Sequence, residues 1–130
     1  MTDQETTIAQ LKALVLRFSK ERDWEQFHHP KDLALALACE VGEVLEHLRF
    51  RTNDEVRASL NDPDQRRAFA HELADCLWAL VRLADVSGID LAASLQEKVE
   101  LAALKYPVDQ AYGRADKYTS YQGPTARDRV

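Results

Sequence analysis

Glu40 and Glu43 in E-V-G-E, and Glu72 and Asp75 in E-L-A-D, form two carboxylate pairs, each at i, i+3 spacing within an apolar helical pattern. Residues three apart on a helix share a face, their side chains pointing within about 60° of each other at roughly 100° per residue. Four anions on faces patterned for burial are costly unless a positive group joins them. A divalent cation with oxygen ligands is the simplest such group, and hard carboxylates without a histidine pair favour magnesium, with manganese as a substitute. Long side chains from helices whose axes lie about 8–10 Å apart can converge on one or two cations. A lone ExxE is common on solvated helices; two pairs on consecutive apolar helices are far more specific. Glu46 extends the first row by a turn and is either an outer ligand or a solvated side chain. Gly42 lies between the first two acids, at a helix cost of up to ~1 kcal/mol, which suggests close packing or room for a ligand.

Other chemistries fail on spacing. A di-iron bundle needs Glu-x-x-His, but Val44 and Ala68 stand three residues before His47 and His71. A zincin needs H-E-x-x-H, and the run from His71 ends in Asp75. Neither a P-loop nor G-x-G-x-x-G occurs, so phosphates would have to be held by metal and side chains.

The net charge of -5, without a basic stripe, argues against a nucleic-acid polymer as partner and suits a protein that gathers cations. No apolar run reaches the roughly 20 residues of a membrane span, and the polar start M-T-D-Q-E-T-T does not read as a signal peptide. Cys39 and Cys76 lack metal-site spacing and read as buried, reduced thiols of a cytoplasmic protein.

The elements that must position the acids are helices. Ile8, Leu11, Leu14, Val15 and Phe18 predict a first helix over about 4–23. Pro30 opens a second, ending near Phe50, with Leu33, Leu37, Val41, Val44, Leu45 and Leu48 on its apolar face. Asn53 is a candidate cap for a short helix over 54–60. Asp62 and Pro63 start a long helix that runs to about Val86, with Phe69, Leu73, Cys76, Leu77, Leu80, Val81 and Leu83 as its stripe and Gly88 as its stop. Asp90 caps the last, and Pro107 closes it. No stretch alternates like a strand, so the fold class is all-α: a bundle of four principal helices, with the two acid-bearing ones antiparallel neighbours. The helical domain spans 1–112, and 113–130 is a polar C-terminal tail.

With these motifs in place, the chain resembles the all-α MazG-like nucleotide pyrophosphohydrolases. E-V-G-E and E-L-A-D, with 28 residues between Glu43 and Glu72, carry the superfamily likeness. E-R-D-W-E-Q-F-H-H-P-K-D-L-A-L-A-L (Glu21 to Leu37) and K-Y-P (Lys105 to Pro107) resemble the dCTP pyrophosphatase branch. The resemblance implies cleavage of a nucleoside triphosphate to the monophosphate and pyrophosphate, as nucleotide-pool house-cleaning. It implies a magnesium site of Glu40, Glu43, Glu72 and Asp75, with Glu43 or Glu40 as general base toward water. It makes Lys31, Lys98, Lys105 and Tyr106 candidate phosphate contacts, and Trp24 and Phe50 candidate base-stacking rings. The ends of a helix over 31–50 lie about 28 Å apart. Trp24 and Phe50 from one chain would then not reach one base, so a pocket shared between subunits of a dimer or tetramer is expected. Trp78 is expected in the core.

The chain also departs from the branch, with Val15, Ala79 and Ala102 where a histidine, a tyrosine and an asparagine are expected. Polar readout supplies the large specificity ratios, so the chemistry is carried more firmly than a cytosine preference. A broad-specificity pyrophosphohydrolase and a non-catalytic, metal-stabilised helical interaction module are the alternatives.

Overall fold

The computed structural model describes residues 1–121, and these form helices and turns with no strand among them. Six helices follow in order: α1 (Ile8–Lys20), α2 (Pro30–Glu46), α3 (Asn53–Ser59), α4 (Pro63–Val86), α5 (Leu91–Lys105) and α6 (Val108–Ala111). Short 3-10 turns occupy Glu25–Phe27 and Tyr118–Ser120. The chain divides into two compact units, Met1–Leu91 and Ala92–Val130.

The first unit is built on α4, against which α2 and α1 both pack. Both partners run antiparallel to it. His47, just after α2, meets Phe69 early in α4, whereas His28 before α2 meets Arg82 late in α4. Likewise Phe18 of α1 meets Trp78, and Lys12 donates to the Ile89 carbonyl beyond α4's end at 2.6 Å. The expected antiparallel pairing of the acid-bearing helices is therefore what the structure has.

Caps explain where the helices begin and end. Thr7 closes a reciprocal capping box with Gln10, so α1 starts at Ile8 and not near residue 4. Asp23 takes a left-handed backbone (φ 54°) after α1 and turns the chain. Thr52, not Asn53, is the cap of α3, again with a capping box, to Glu55. Asp62 accepts from the amides of Asp64 and Gln65 ahead of Pro63, as the spacing predicts. At the other end of α4 the Gly88 amide bonds the Asp85 carbonyl and the Ile89 amide bonds the Ala84 carbonyl. This is a Schellman stop, and Gly88 (φ 65°) supplies its left-handed residue. Helix α2 stops four residues short of Phe50, because the His47 and Leu48 amides that follow it bond carbonyls three residues back and Phe50 itself is left-handed (φ 61°).

The core of the described chain is small: Val15, Leu33, Ala79, Val81 and Ala84, with Ser19 donating to the Val15 carbonyl inside it. The apolar stripes are not fully used. Leu37, Val44, Leu48, Phe69, Cys76 and Leu83 are half-buried. Val41 and Leu45 on α2, and Leu73, Leu77 and Leu80 on α4, remain exposed. Cys39 is exposed and Cys76 half-buried, both as free thiols, so the expectation of two buried cysteines is corrected. Cys39 precedes Glu40 by one position, about 100° away from the face that α2 turns toward α4.

The second unit contains α5 from its second residue on, α6 and the turn at Tyr118–Ser120. The chain after Gly113 folds back on the end of α5, with Tyr118 and Tyr121 each edge-on to Tyr106, the residue after that helix. Of the expected tail, residues 113–121 include the turn at Tyr118–Ser120, and residues 122–130 lie outside the described residues.

Candidate metal centre and substrate contacts

Antiparallel packing of α2 on α4 brings three of the four sequence-predicted acids together. Glu40, Glu43 and Glu72 each offer a carboxylate oxygen, and these oxygens all lie within 4.8 Å of one another. Glu40 and Glu72 are half-buried and Glu43 is exposed. Asp75 is exposed and stands outside this tight group, yet near enough that its charge acts on Glu40. Partial burial, then the neighbouring carboxylates of Glu43, Asp75 and Glu72, raise the Glu40 carboxyl above its ordinary range. Like charges held this close resist ionising together. Hard oxygen donors of this number and spacing fit a divalent cation, which would relieve that repulsion.

His47 Nε2 lies 3.8 Å from Glu72 Oε1, and its ring stands edge-on to Phe69. Glu46 turns away to pair with Arg49 at 2.6 Å, so it does not extend the acid row. A side-chain carbon built on Gly42 would meet nothing within 4 Å. Among the described residues nothing packs closely on Gly42, which leaves room for a ligand as the other of the two expectations there.

The predicted substrate contacts are spread out. Trp24 is 45 % exposed, with its ring edge-on to Phe18 at 5.7 Å. Phe18 is also edge-on to Trp78 at 4.7 Å, and Arg22 covers its face. Trp78 is half-buried in this cluster, close to its expected core role. Phe50 is 96 % exposed, with Arg49 above its ring as its partner. Among the described residues no ring pair joins Trp24 to Phe50. Lys31 is exposed and sits 3.4 Å from Asp32. Lys98, Lys105 and Tyr106 belong to the second unit, where they line a cavity of about 220 Å³ with Leu101, Ala102 and Tyr118. Lys105 lies over the Tyr118 ring.

Sequence reasoning missed four groups at the far end of α4. Arg82 is almost fully buried and bonds Asp85 and His28, with Glu25 beside it. Arg82 and Asp85 have the same i, i+3 spacing in an apolar helix that singled out the acids, so the signal was there. Tyr118 and Tyr121 carried no motif and were not anticipated.

The family model for the MazG nucleotide pyrophosphohydrolase domain matches residues 28–107, a stretch containing all four acids. The dCTP pyrophosphatase 1 of Rattus norvegicus is 39% identical over 115 residues, covering 88% of this chain and 68% of that protein. That of Homo sapiens is 38% identical over the same coverage. A crystal structure of a pyrophosphatase from Archaeoglobus fulgidus matches with a TM-score of 0.73 at 30% identity, over 82% of this chain and 98% of that one.

Proposed function

The chain belongs to the MazG nucleotide pyrophosphohydrolase family and is an enzyme of that kind, and we propose that it hydrolyses nucleoside triphosphates, dCTP or related pyrimidine deoxynucleotides first among them, to the monophosphate and pyrophosphate. Membership in an enzyme family sets aside the non-catalytic module. The observation that carries the reading is the convergence of Glu40, Glu43 and Glu72 from two helices, with Asp75 beside them.

Glu40, Glu43, Glu72 and Asp75 would hold magnesium, with manganese as a substitute. Bound there, the cation supplies charge neutralisation for the triphosphate and polarises the attacked phosphorus. Glu43, the most open acid of the tight group, accepts the proton of the attacking water, with Glu40 as the other candidate base. Lys31, Lys98, Lys105 and Tyr106 supply cationic and hydroxyl contacts to phosphate oxygens, and Trp24 and Phe50 supply stacking faces for the base. Nucleotide-pool house-cleaning in the cytoplasm is the role that follows. No helix among the described residues is long and apolar enough to cross a membrane.

Self-association completes the site. Val41 and Leu45 on α2 and Leu73, Leu77 and Leu80 on α4 are exposed at helical spacing beside the acids. Rows of this kind mark protein–protein surfaces. Phe50 presents a whole ring to solvent at an end of α2 remote from Trp24. A dimer or tetramer would cover the apolar rows and bring one chain's Phe50 toward another's Trp24.

Broad specificity remains the second reading, because Val15 and Ala79 are buried apolar positions where the branch is expected to place polar groups. Pyrophosphate release measured across the eight common nucleoside triphosphates, with magnesium or manganese, separates the two. Release from dCTP well above the rest supports the first; comparable release from several supports the second; none from any removes the proposal.

A further inference from the structure

We infer that Arg82 is a positioning residue for nucleotide binding, clamping the α1–α2 connection at the two ends of its 3-10 turn so that the Trp24 ring is held open to substrate. The inference rests on the proposed reading of Trp24 as a base-stacking ring.

Arg82 is 4% exposed, and a buried guanidinium is tolerated only when its donors are satisfied. Each of its three nitrogens has a partner. Nη1 donates to Asp85 Oδ2 on the same helix at 2.5 Å. Nε donates to His28 Nδ1 at 3.0 Å, and Nη2 lies 3.7 Å from Glu25 Oε1. The Asp85 bond fixes the fork on α4, and the other two reach the connection between α1 and α2. His28 must be unprotonated at Nδ1 to accept this bond. Burial and then Arg82 itself lower its pKa, which agrees with that state.

The two gripped residues are the first residue of the 3-10 turn, Glu25, and the residue that follows its end, His28. Glu25 directly follows Trp24, the Phe27 amide bonds the Trp24 carbonyl, and the His28 amide bonds the Glu25 carbonyl. Trp24 is tethered on its other side by its amide to the Ser19 carbonyl and by its edge contact to Phe18. No helix spans this connection, so the ring's direction depends on these few ties. Arg82 lies two helical turns beyond Asp75 along α4, about 10 Å away. Loosening the clamp should therefore weaken substrate binding while leaving the acids in place.

The test uses the full chain and its best triphosphate. Arg82→Met keeps the buried volume and removes the fork. We expect KM to rise about tenfold with kcat within about threefold. Hydrogen exchange of the free protein should quicken at residues 24–28 while α2 and α4 keep their protection. Trp24→Ala should raise KM comparably, and the double variant should be no worse than Trp24→Ala alone, because Arg82 acts through that ring. Additive KM effects, or unchanged exchange at 24–28, overturn the inference. A native KM in Trp24→Ala removes that ring from substrate binding and the positioning role with it; the exchange measurement alone then judges the clamp. If Arg82→Met does not fold, Glu25→Gln and Asp85→Asn each remove one tie, and smaller shifts of the same pattern are expected; no shift in either overturns the inference.

Discussion

His47 Nε2 lies 3.8 Å from Glu72 Oε1, so a histidine at the end of α2 stands against one of the three converging carboxylates on α4. Groups that orient a metal ligand from outside typically change metal affinity about 10- to 100-fold when removed. At 3.8 Å the contact is loose, so His47→Ala should raise the magnesium concentration for half-maximal activity by up to about tenfold. A magnesium titration of pyrophosphate release reads this directly, and an unchanged midpoint makes His47 a bystander.

The acids themselves should behave differently. Glu43→Gln and Asp75→Asn should remove turnover while far-UV circular dichroism shows the helices intact. Magnesium at about 100 times its dissociation constant should stabilise the native protein by ~2.7 kcal/mol, seen as a higher Tm. Neither variant should show that full rise. Retained turnover in Asp75→Asn would restrict the working ligand set to the three acids that the fold brings closest.

Phe50 is a bulky residue in left-handed backbone, a conformation that costs roughly 1–2 kcal/mol for residues other than glycine. Phe50→Gly should therefore be more stable than Phe50→Ala by about 1 kcal/mol in urea unfolding. Both should raise KM for the nucleotide alike, since both lose the ring. A native KM in both variants would remove Phe50 from the base pocket.

His28 links pH to stability. Burial, then Arg82, lower its pKa below 6.5, with Glu25 opposing. A depressed folded pKa means that protonation favours the unfolded chain. The contribution is complete above pH 6.5 and is lost as pH falls through the lowered folded value. The Tm of the native protein relative to His28→Gln should therefore fall as pH drops from about 7.5 to about 5. A difference that stays constant over that range would remove His28 from the acid response.

Much of this was legible in the chain because it depends on neighbours in sequence. Asp62-Pro63 and Gly88 mark the ends of α4 through local hydrogen bonding and backbone preference, and the structure places them there. The i, i+3 spacing put each acid pair on one helical face. Boundaries were less legible where two caps compete, as at Thr52 and Asn53, or where the last turn tightens before Phe50. Burial was misjudged for Cys39 and for the leucine rows, because a stripe's apolarity does not say which element covers it.

The amino-acid sequence alone determined an all-helical chain and two acid pairs on facing helices, since periodicity and capping are written residue by residue. Only the tertiary structure decided which acids meet. The antiparallel register of α2 on α4 brings Glu40, Glu43 and Glu72 into one group, leaves Asp75 at its edge, and pairs Glu46 with Arg49 instead. It also decided that Arg82 reaches His28, 54 positions away in sequence. The physical reason is that a helix fixes which face a side chain occupies, while packing fixes what stands opposite that face.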